Sequence, residues 1–152
     1  MNDFKSFLEQ NSIWHEFLSK DDTRKAEQAS KITGINLDDI VKSLLFKVGN
    51  EFCLVIIQGS KKVSPKKLRK LLNEENVRLA DAAEVLDITG FAVGAVPPIG
   101  LKNKVKCILG KSIVNKEKVW AGGGAIDRLV CLKTIDIIKY NNPIIEDISD
   151  DK

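Results

Sequence analysis

Lys42 stands in an otherwise apolar stretch, "DDIVKSLLFKVG", followed by Leu44, Leu45 and Phe46. Period-two alternation puts Lys42, Leu44 and Phe46 on one face of a strand. If that face packs inward, Lys42 is a partly buried ammonium that wants a negative partner. If it packs outward, it is a lysine laying its stem along an apolar surface, with Lys47 at the strand's end as the wet control. Two glycine-bearing stretches could supply the rest of a site. "TGFAVGAVPPIG" (Thr89 to Gly100) holds three glycines, two adjacent prolines and no charge. Glycine opens backbone geometry closed to other residues, and proline fixes φ while removing an N–H. Together they make a stiff loop whose remaining N–H groups can be aimed at an anionic or carbonyl oxygen. The bland reading is a tight turn with a proline-stiffened exit. "VWAGGGAID" (Val119 to Asp127) ends an apolar run in three glycines, which suits close backbone approach or a wide turn. Neither stretch is a G-x-G-x-x-G or a G-x-x-x-x-G-K-[ST], so dinucleotide and Walker-type phosphate loops are not expected.

The remaining reactive side chains are sparse. His15 is the single histidine, and it falls in a predicted strand near the N-terminus without serine or cysteine partners. Cys53, Cys107 and Cys131 each sit among apolar neighbours, which reads as reduced core thiols rather than disulfides or nucleophiles. Metal ligands are not clustered, so no metal and no cofactor are expected.

Elements that would position these groups follow from pattern. Residues 2–10 read as a short amphipathic helix carrying Phe4, Phe7 and Leu8 on one side. "SIWHEFLS" reads as a strand. "DDTRKAEQASKITG" reads as a helix that opens with acids and a Thr23 cap and stops at Gly34. Two β-branched apolar runs flank Gly49-Asn50, a hairpin signature. "SPKKLRKLLNEEN" has Pro65 where a helix begins, and "DAAEVLDITG" is a short helix leading into the first glycine stretch. "VKCIL", "KVWAG" and "DRLVCLK" read as strands, and "TIDIIKY" as a last helix. Strands that follow one another directly favour a mixed α/β (α+β) fold. Its sheet is mixed and partly barrel-like, with helices outside, rather than doubly wound and parallel.

Length and composition bound the class. The chain has 152 residues, 43% hydrophobic and 30% charged, which suits one domain over 1–152 with a real core. No 18-residue apolar run and no secretion-type leader is present, so a membrane span is not expected and the cytoplasm is. The tail from residue 143 is acidic and is expected to fray. The net charge is +3. Glu146 to Lys152 holds four acids and one lysine, and the rest carries 23 basic and 17 acidic side chains. Lys61–Lys70 has six basic residues and no acid, and Lys102–Lys118 six lysines and one acid. Such stretches are either solvated faces or phosphate-contacting surface with salt-dependent affinity.

With "TRKAEQASKITGI", "IVKSLLFK", "TGFAVGAVPPIG" and "VWAGGGAIDRLVCL" in this order, the chain resembles the YbaK / prolyl-tRNA-synthetase-associated editing domain family over roughly residues 10–140. The resemblance implies a mixed, partly closed β-sheet with helices around it. It also implies a trans-acting aminoacyl-tRNA deacylase that hydrolyses the ester of a mischarged tRNA, prolyl-tRNA-type editing in particular. The implied partners are the tRNA acceptor end and, as a second candidate, prolyl-tRNA synthetase, with no DNA and no membrane. Residue by residue, Lys42 matches the family's essential lysine, and Gly94 the loop glycine whose N–H lies near the reacting carbonyl. Gly90, Pro98 and Gly100 fit the rest of that loop. Ala121, Gly122 and Gly123 stand where several relatives have Ser-Gly-Gly, and Asp127 is the nearest match to a pocket aspartate. That second motif helps set amino-acid choice, so its departures leave the edited amino acid open. Three alternatives stay open beside this. One is a non-catalytic nucleotide- or RNA-binding module using the same pocket, and another an interaction protein whose glycine loops are only turns. The third is a deacylase for a different ester.

Overall fold

The structure, a computed structural model, describes residues 3–19 and 26–150. The first helix, α1 (Phe4–Gln10), starts at Asp3, whose carboxylate accepts from the Ser6 N–H, and it buries Phe4 and Leu8. Strand β1 (His15–Ser19) follows. Helix α2 (Ala26–Thr33) ends before Gly34, whose φ of +78° is the left-handed geometry that stops a helix. The Thr23 cap expected for this helix lies outside the described residues.

The hairpin expected around Gly49-Asn50 is present. Strands β2 (Val41–Val48) and β3 (Glu51–Gln58) pair antiparallel, with Val48 opposite Glu51 and Lys42 opposite Ile57. Gly49 has φ +59° and Asn50 does not share a positive φ, the pattern of a type II′ turn. Helix α3 (Pro65–Leu72) has Ser64 as cap and Pro65 in its first turn. Strand β4 (Val77–Leu79) leads into α4 (Ala82–Thr89), which opens with a reciprocal Asp81–Glu84 capping box and ends at Gly90, φ +83°. Strands β5 (Lys106–Gly110), β6 (Lys118–Gly122) and β7 (Arg128–Lys133), helix α5 (Thr134–Asn141) and strand β8 (Ile144–Glu146) complete the order.

Two sheets result. One has the order β4-β2-β3-β5-β8, the other β1-β7-β6. The first is mixed: β3/β5 and β5/β8 are parallel, whereas β2 pairs antiparallel with both of its neighbours. The sheets meet at a bridge between Ile40 and Trp120 and do not close into a barrel. Between them lies the main core, with Phe4, Leu54, Ile56, Val119 and Val130 in it. The opposite face of β3 carries Val55 and Ile57 into a second cluster with Leu68 of α3, Ile108 and Ile148. Strand β3 is therefore buried on both faces, which is why its sequence is a continuous apolar run.

The acidic tail differs from expectation. It is not frayed as far as it is described: Ile144 to Glu146 pair with β5, Ser149 bridges Val63, and Ile148 is 1% exposed. Burial of Ile148 and the Lys67–Asp147 ion pair at 3.3 Å hold it against α3. The local acidity gave no hint of that packing. Among the described residues no helix is long and apolar enough to cross a membrane.

Candidate functional site

Strand β4 covers β2 only from Phe46 to Val48. The first half of β2 instead faces β6, and past the Ile40–Trp120 join a cavity of about 260 Å³ opens there. Helix α2 roofs it with Ala26, Glu27 and Ala29. Because the cavity wraps the edge of β2, residues from both faces of the strand reach it, Lys42 and Leu44 from one and Ser43 and Leu45 from the other. Gly94 and Gly122 complete the wall beside Val93 and Val96.

Lys42 is half-buried and makes no hydrogen bond or ion pair with the described residues. Burial lowers its pKa below a lysine's usual value, Glu27 opposes that through its charge, and Lys62 adds to it. Lys47, farther along the strand, lies 5.8 Å from the Phe52 ring. It is not among the residues lining the cavity. The alternation expected of β2 holds, since Leu44, Phe46 and Val48 share one side with the second cluster, while Val41 and Leu45 enter the main core. The Ser43 hydroxyl is buried without a hydrogen-bond partner among the described residues.

The turn from Ala92 to Ala95 is closed by the Ala95 N–H donating to the Ala92 carbonyl at 2.9 Å. Gly94 is its third residue with φ +87°, and Val93 keeps a negative φ, so the turn is type II. That position leaves the Gly94 N–H outside the turn's own bond. It donates to nothing among the described residues. The turn is anchored at its base by Thr89, whose hydroxyl donates to the Val85 carbonyl at 2.6 Å and accepts from the Phe91 N–H at 3.1 Å. Its far side is latched to the second glycine stretch, where the Gly124 N–H donates to the Ala95 carbonyl at 2.9 Å.

Of the nine residues singled out from the sequence, the structure brings Lys42, Gly94 and Gly122 to one cavity. Six lie outside its lining. Gly90 ends α4. The Pro98 carbonyl accepts from the Asn141 side chain at 2.6 Å, and Gly100 lies against the Phe7 ring with φ +78°. Ala121 is fully buried in the main core. The Gly123 N–H donates to the Arg128 carbonyl at 3.0 Å. Asp127 is exposed in the β6–β7 turn, because the third glycine carries the chain away from the cavity before the aspartate is reached. Glu27, Ser43, Val93 and Val96 were not singled out. Nothing local marks them, since it is the splay of the two sheets and the placing of α2 that bring them to the wall.

The other candidate reactive groups lie elsewhere. His15 Nδ1 lies 2.8 Å from the Ile13 carbonyl, and the ring stacks edge-on with Phe17. The three cysteines are buried, and burial pushes Cys53 and Cys107 up to about 12, so they stay thiols at neutral pH. Among the described residues no three His, Cys, Asp or Glu side chains come together as a metal-binding group.

The family model for the aminoacyl-tRNA editing domain matches residues 20–140. Proline–tRNA ligase of Bacillus licheniformis is 32% identical over 101 residues, 66% of this chain and 18% of the ligase. That of Pseudothermotoga lettingae is 32% identical over 108 residues, 71% of this chain and 19% of the ligase. The chain thus spans less than a fifth of the length of these curated relatives. One solved structure, of a hypothetical protein, is similar with a TM-score of 0.87 at 25% identity, covering 96% of this chain and 98% of its own. Another, described as a candidate trans-editing enzyme for prolyl-tRNA synthetase, has a TM-score of 0.81 at 26% identity, covering 90% and 87%.

Proposed function

The chain belongs to the aminoacyl-tRNA editing domain family, and from that premise we propose that it hydrolyses, in trans, the ester of a mischarged tRNA of the proline-accepting type. One observation carries the reading. The Lys42 ammonium and the Gly94 N–H, neither with a hydrogen-bond or ion-pair partner among the described residues, line the same cavity although they come from distant parts of the chain. A plain core needs neither.

The reaction asks for little more. Water attacks the ester carbonyl carbon, the bond to the ribose oxygen breaks, and that oxygen takes a proton. The products are a free amino acid and a tRNA with its terminal hydroxyl restored. Lys42 holds the terminal nucleotide through its phosphate or polar groups. The Gly94 N–H, held by the type II turn, stabilises charge as it develops on the carbonyl oxygen. No side-chain nucleophile takes part, so the attacking water is helped by the neighbouring ribose hydroxyl or the amino group of the substrate. Positioning and electrostatics then supply the rate, which suits an ester that is already activated. The lysines of α3 and of the β5–β6 segment are candidates for phosphate contacts with the acceptor end, and prolyl-tRNA synthetase is the candidate partner. Some of these charges are already engaged within the fold, Lys67 by Asp147 and Lys116 by Asp39 at 2.8 Å.

A deacylation screen against a panel of mischarged tRNAs, with wild type and Lys42→Ala, tests this. Lys42→Ala is expected to lose at least about 10²-fold in rate, the scale of removing one oriented charge-stabilising group. Its melting temperature should not fall, since a half-buried ammonium unpaired among the described residues contributes no core packing. Full activity in Lys42→Ala, or an acyl-enzyme trapped on a cysteine, overturns the assignment. Binding of the uncharged acceptor end without turnover of any ester favours a binding module instead.

A further inference from the structure

Glu27 sits in the first turn of α2 and lines the cavity. Among the described lining residues it is the only carboxylate, and apart from Lys42 and Ser43 the other described lining side chains are apolar or absent. Its carboxylate makes no hydrogen bond or ion pair with the described residues, and neither does the Lys42 ammonium. The two charges therefore face one space without closing on each other, although the charge of Glu27 opposes the lowering of the Lys42 pKa by burial. A cavity built this way has one cationic wall, one anionic wall and an apolar wall made by Leu79, Val85, Val93 and Val96.

An aminoacyl ester offers a matching set of groups. It carries phosphate and polar nucleotide groups on one side, an α-ammonium on the other, and a side chain between. The α-ammonium cannot lie against Lys42, because like charges in a partly desolvated space repel. We infer that Glu27 binds the α-ammonium of the aminoacyl group and makes the site selective for esters that keep a free α-amino group. The inference rests on the deacylase reading above. It assigns to Glu27 the acidic role in the pocket for which the sequence offered Asp127. With the carbonyl oxygen at the Gly94 N–H and the ammonium at Glu27, the side chain is directed to the apolar wall. Those contacts fix the ester's orientation and keep its ammonium charged, which leaves the neighbouring ribose hydroxyl to help the attacking water.

Glu27 has one other candidate role, keeping Lys42 protonated. The two roles separate when the substrate loses its ammonium. The experiment takes the aminoacyl-tRNA that wild type hydrolyses best in the screen. It compares that ester with its α-hydroxy analogue, made by nitrous-acid deamination, in which a hydroxyl replaces the ammonium with little change of size. Values of kcat/KM are measured for wild type, Glu27→Gln and Glu27→Asp. Glu27→Gln is expected to lose about tenfold on the aminoacyl ester, the scale of one charge-assisted contact that is partly exposed. It should be unchanged on the hydroxy analogue, and Glu27→Asp should recover part of the preference. Taking the ratio between the two esters cancels their different intrinsic reactivities. Equal losses on both esters mean that Glu27 acts through Lys42 or through the fold, and no loss on either means that it does not touch substrate. Either result overturns the inference while leaving the deacylase reading standing. Wild type that hydrolyses no ester in the panel overturns both.

Discussion

Gly94 and Gly122 line the same cavity, one in a turn and the other at the end of a strand. At Gly94 the constraint is conformational: φ is +87°, and the residue's N–H is left unbonded among the described residues. At Gly122 φ is outside the left-handed region, and the constraint is space. A Cβ there would lie 2.6 Å from the Val96 carbonyl oxygen and 3.2 Å from the Ala95 backbone. The same holds for Gly123, where a Cβ would lie 2.9 Å from the Arg128 carbonyl oxygen. One glycine stretch aims a donor, and the other lets two backbones approach so that the aim is kept. Identical residues therefore carry different kinds of information, and only the backbone geometry tells them apart.

Substitution by alanine separates them. Gly94→Ala is expected to show the larger effect on rate, a loss of about 10²–10³ in single-turnover deacylation as the N–H shifts from the carbonyl oxygen. Its stability cost is the strain of a left-handed alanine, about 1–2 kcal/mol. Gly122→Ala should reverse the balance. The added methyl forces the Val96–Ala95 backbone away, at about 1–3 kcal/mol of stability by the usual cost of overpacking. Its rate should fall only as far as the turn is displaced. Urea midpoints set beside single-turnover rates for the two variants decide the matter. A Gly94→Ala protein that melts early but turns over normally breaks the comparison. So does a Gly122→Ala protein indistinguishable from wild type.

The sequence made the strands and helices legible where local chemistry decides them. The Gly49-Asn50 turn, Pro65 at the start of α3 and the β-branched run of β3 each have a short-range cause, and each element stands where that cause puts it. Lys42, Gly94 and Gly122 were legible because a charge in an apolar strand, a glycine beside adjacent prolines and a run of three glycines are unusual in themselves. What was not legible depends on distant parts. The three residues of β4 and of β8 are too short to carry a pattern, and they exist because β2 and β5 offer edges to pair with. The expectation of a frayed tail failed on Ile148, a single apolar residue among acids that finds α3 and β5 only after folding. Nothing local marks Glu27 among the helix carboxylates, whereas Asp127 is the nearest match to a pocket aspartate. The turn after Gly124 and the seat of α2 on Ile40 and Leu129 exchange their places.

The smallest expected effect sharpens the same contrast, because the two glycine stretches are supported differently. The second is held by backbone bonds, Gly123 to Arg128 and Gly124 to Ala95. The first hangs from α4, and α4 is tied to β4 by a charged clamp. Arg78 donates to the Glu84 carboxylate twice, at 2.7 and 2.9 Å, and the Asp81 N–H donates to it at 3.0 Å. The Arg78 side chain first, and the Asp81 backbone second, hold the Glu84 pKa at about 2, below its ordinary 4.5. A carboxylate with a depressed folded-state pKa favours folding above its unfolded value and loses that contribution as pH falls toward the folded one. The clamp is therefore fully present above pH 4.5 and fades toward about 2. Glu84→Gln removes the charge but keeps a residue able to serve the capping box. Asp147, also held at about 2, titrates alike in both proteins and cancels from their difference. Wild type should melt above Glu84→Gln at neutral pH, by a small margin that added salt reduces, as expected at an exposed site. The margin should close as pH falls through this window, with amide exchange in α4, the Ala92–Ala95 turn and the Gly124 N–H latched to Ala95 rising before exchange at Gly123, which is bonded to Arg128. Melting curves that stay parallel down to pH 2, or exchange that rises first at Gly123, would show that the charged clamp does not support the turn.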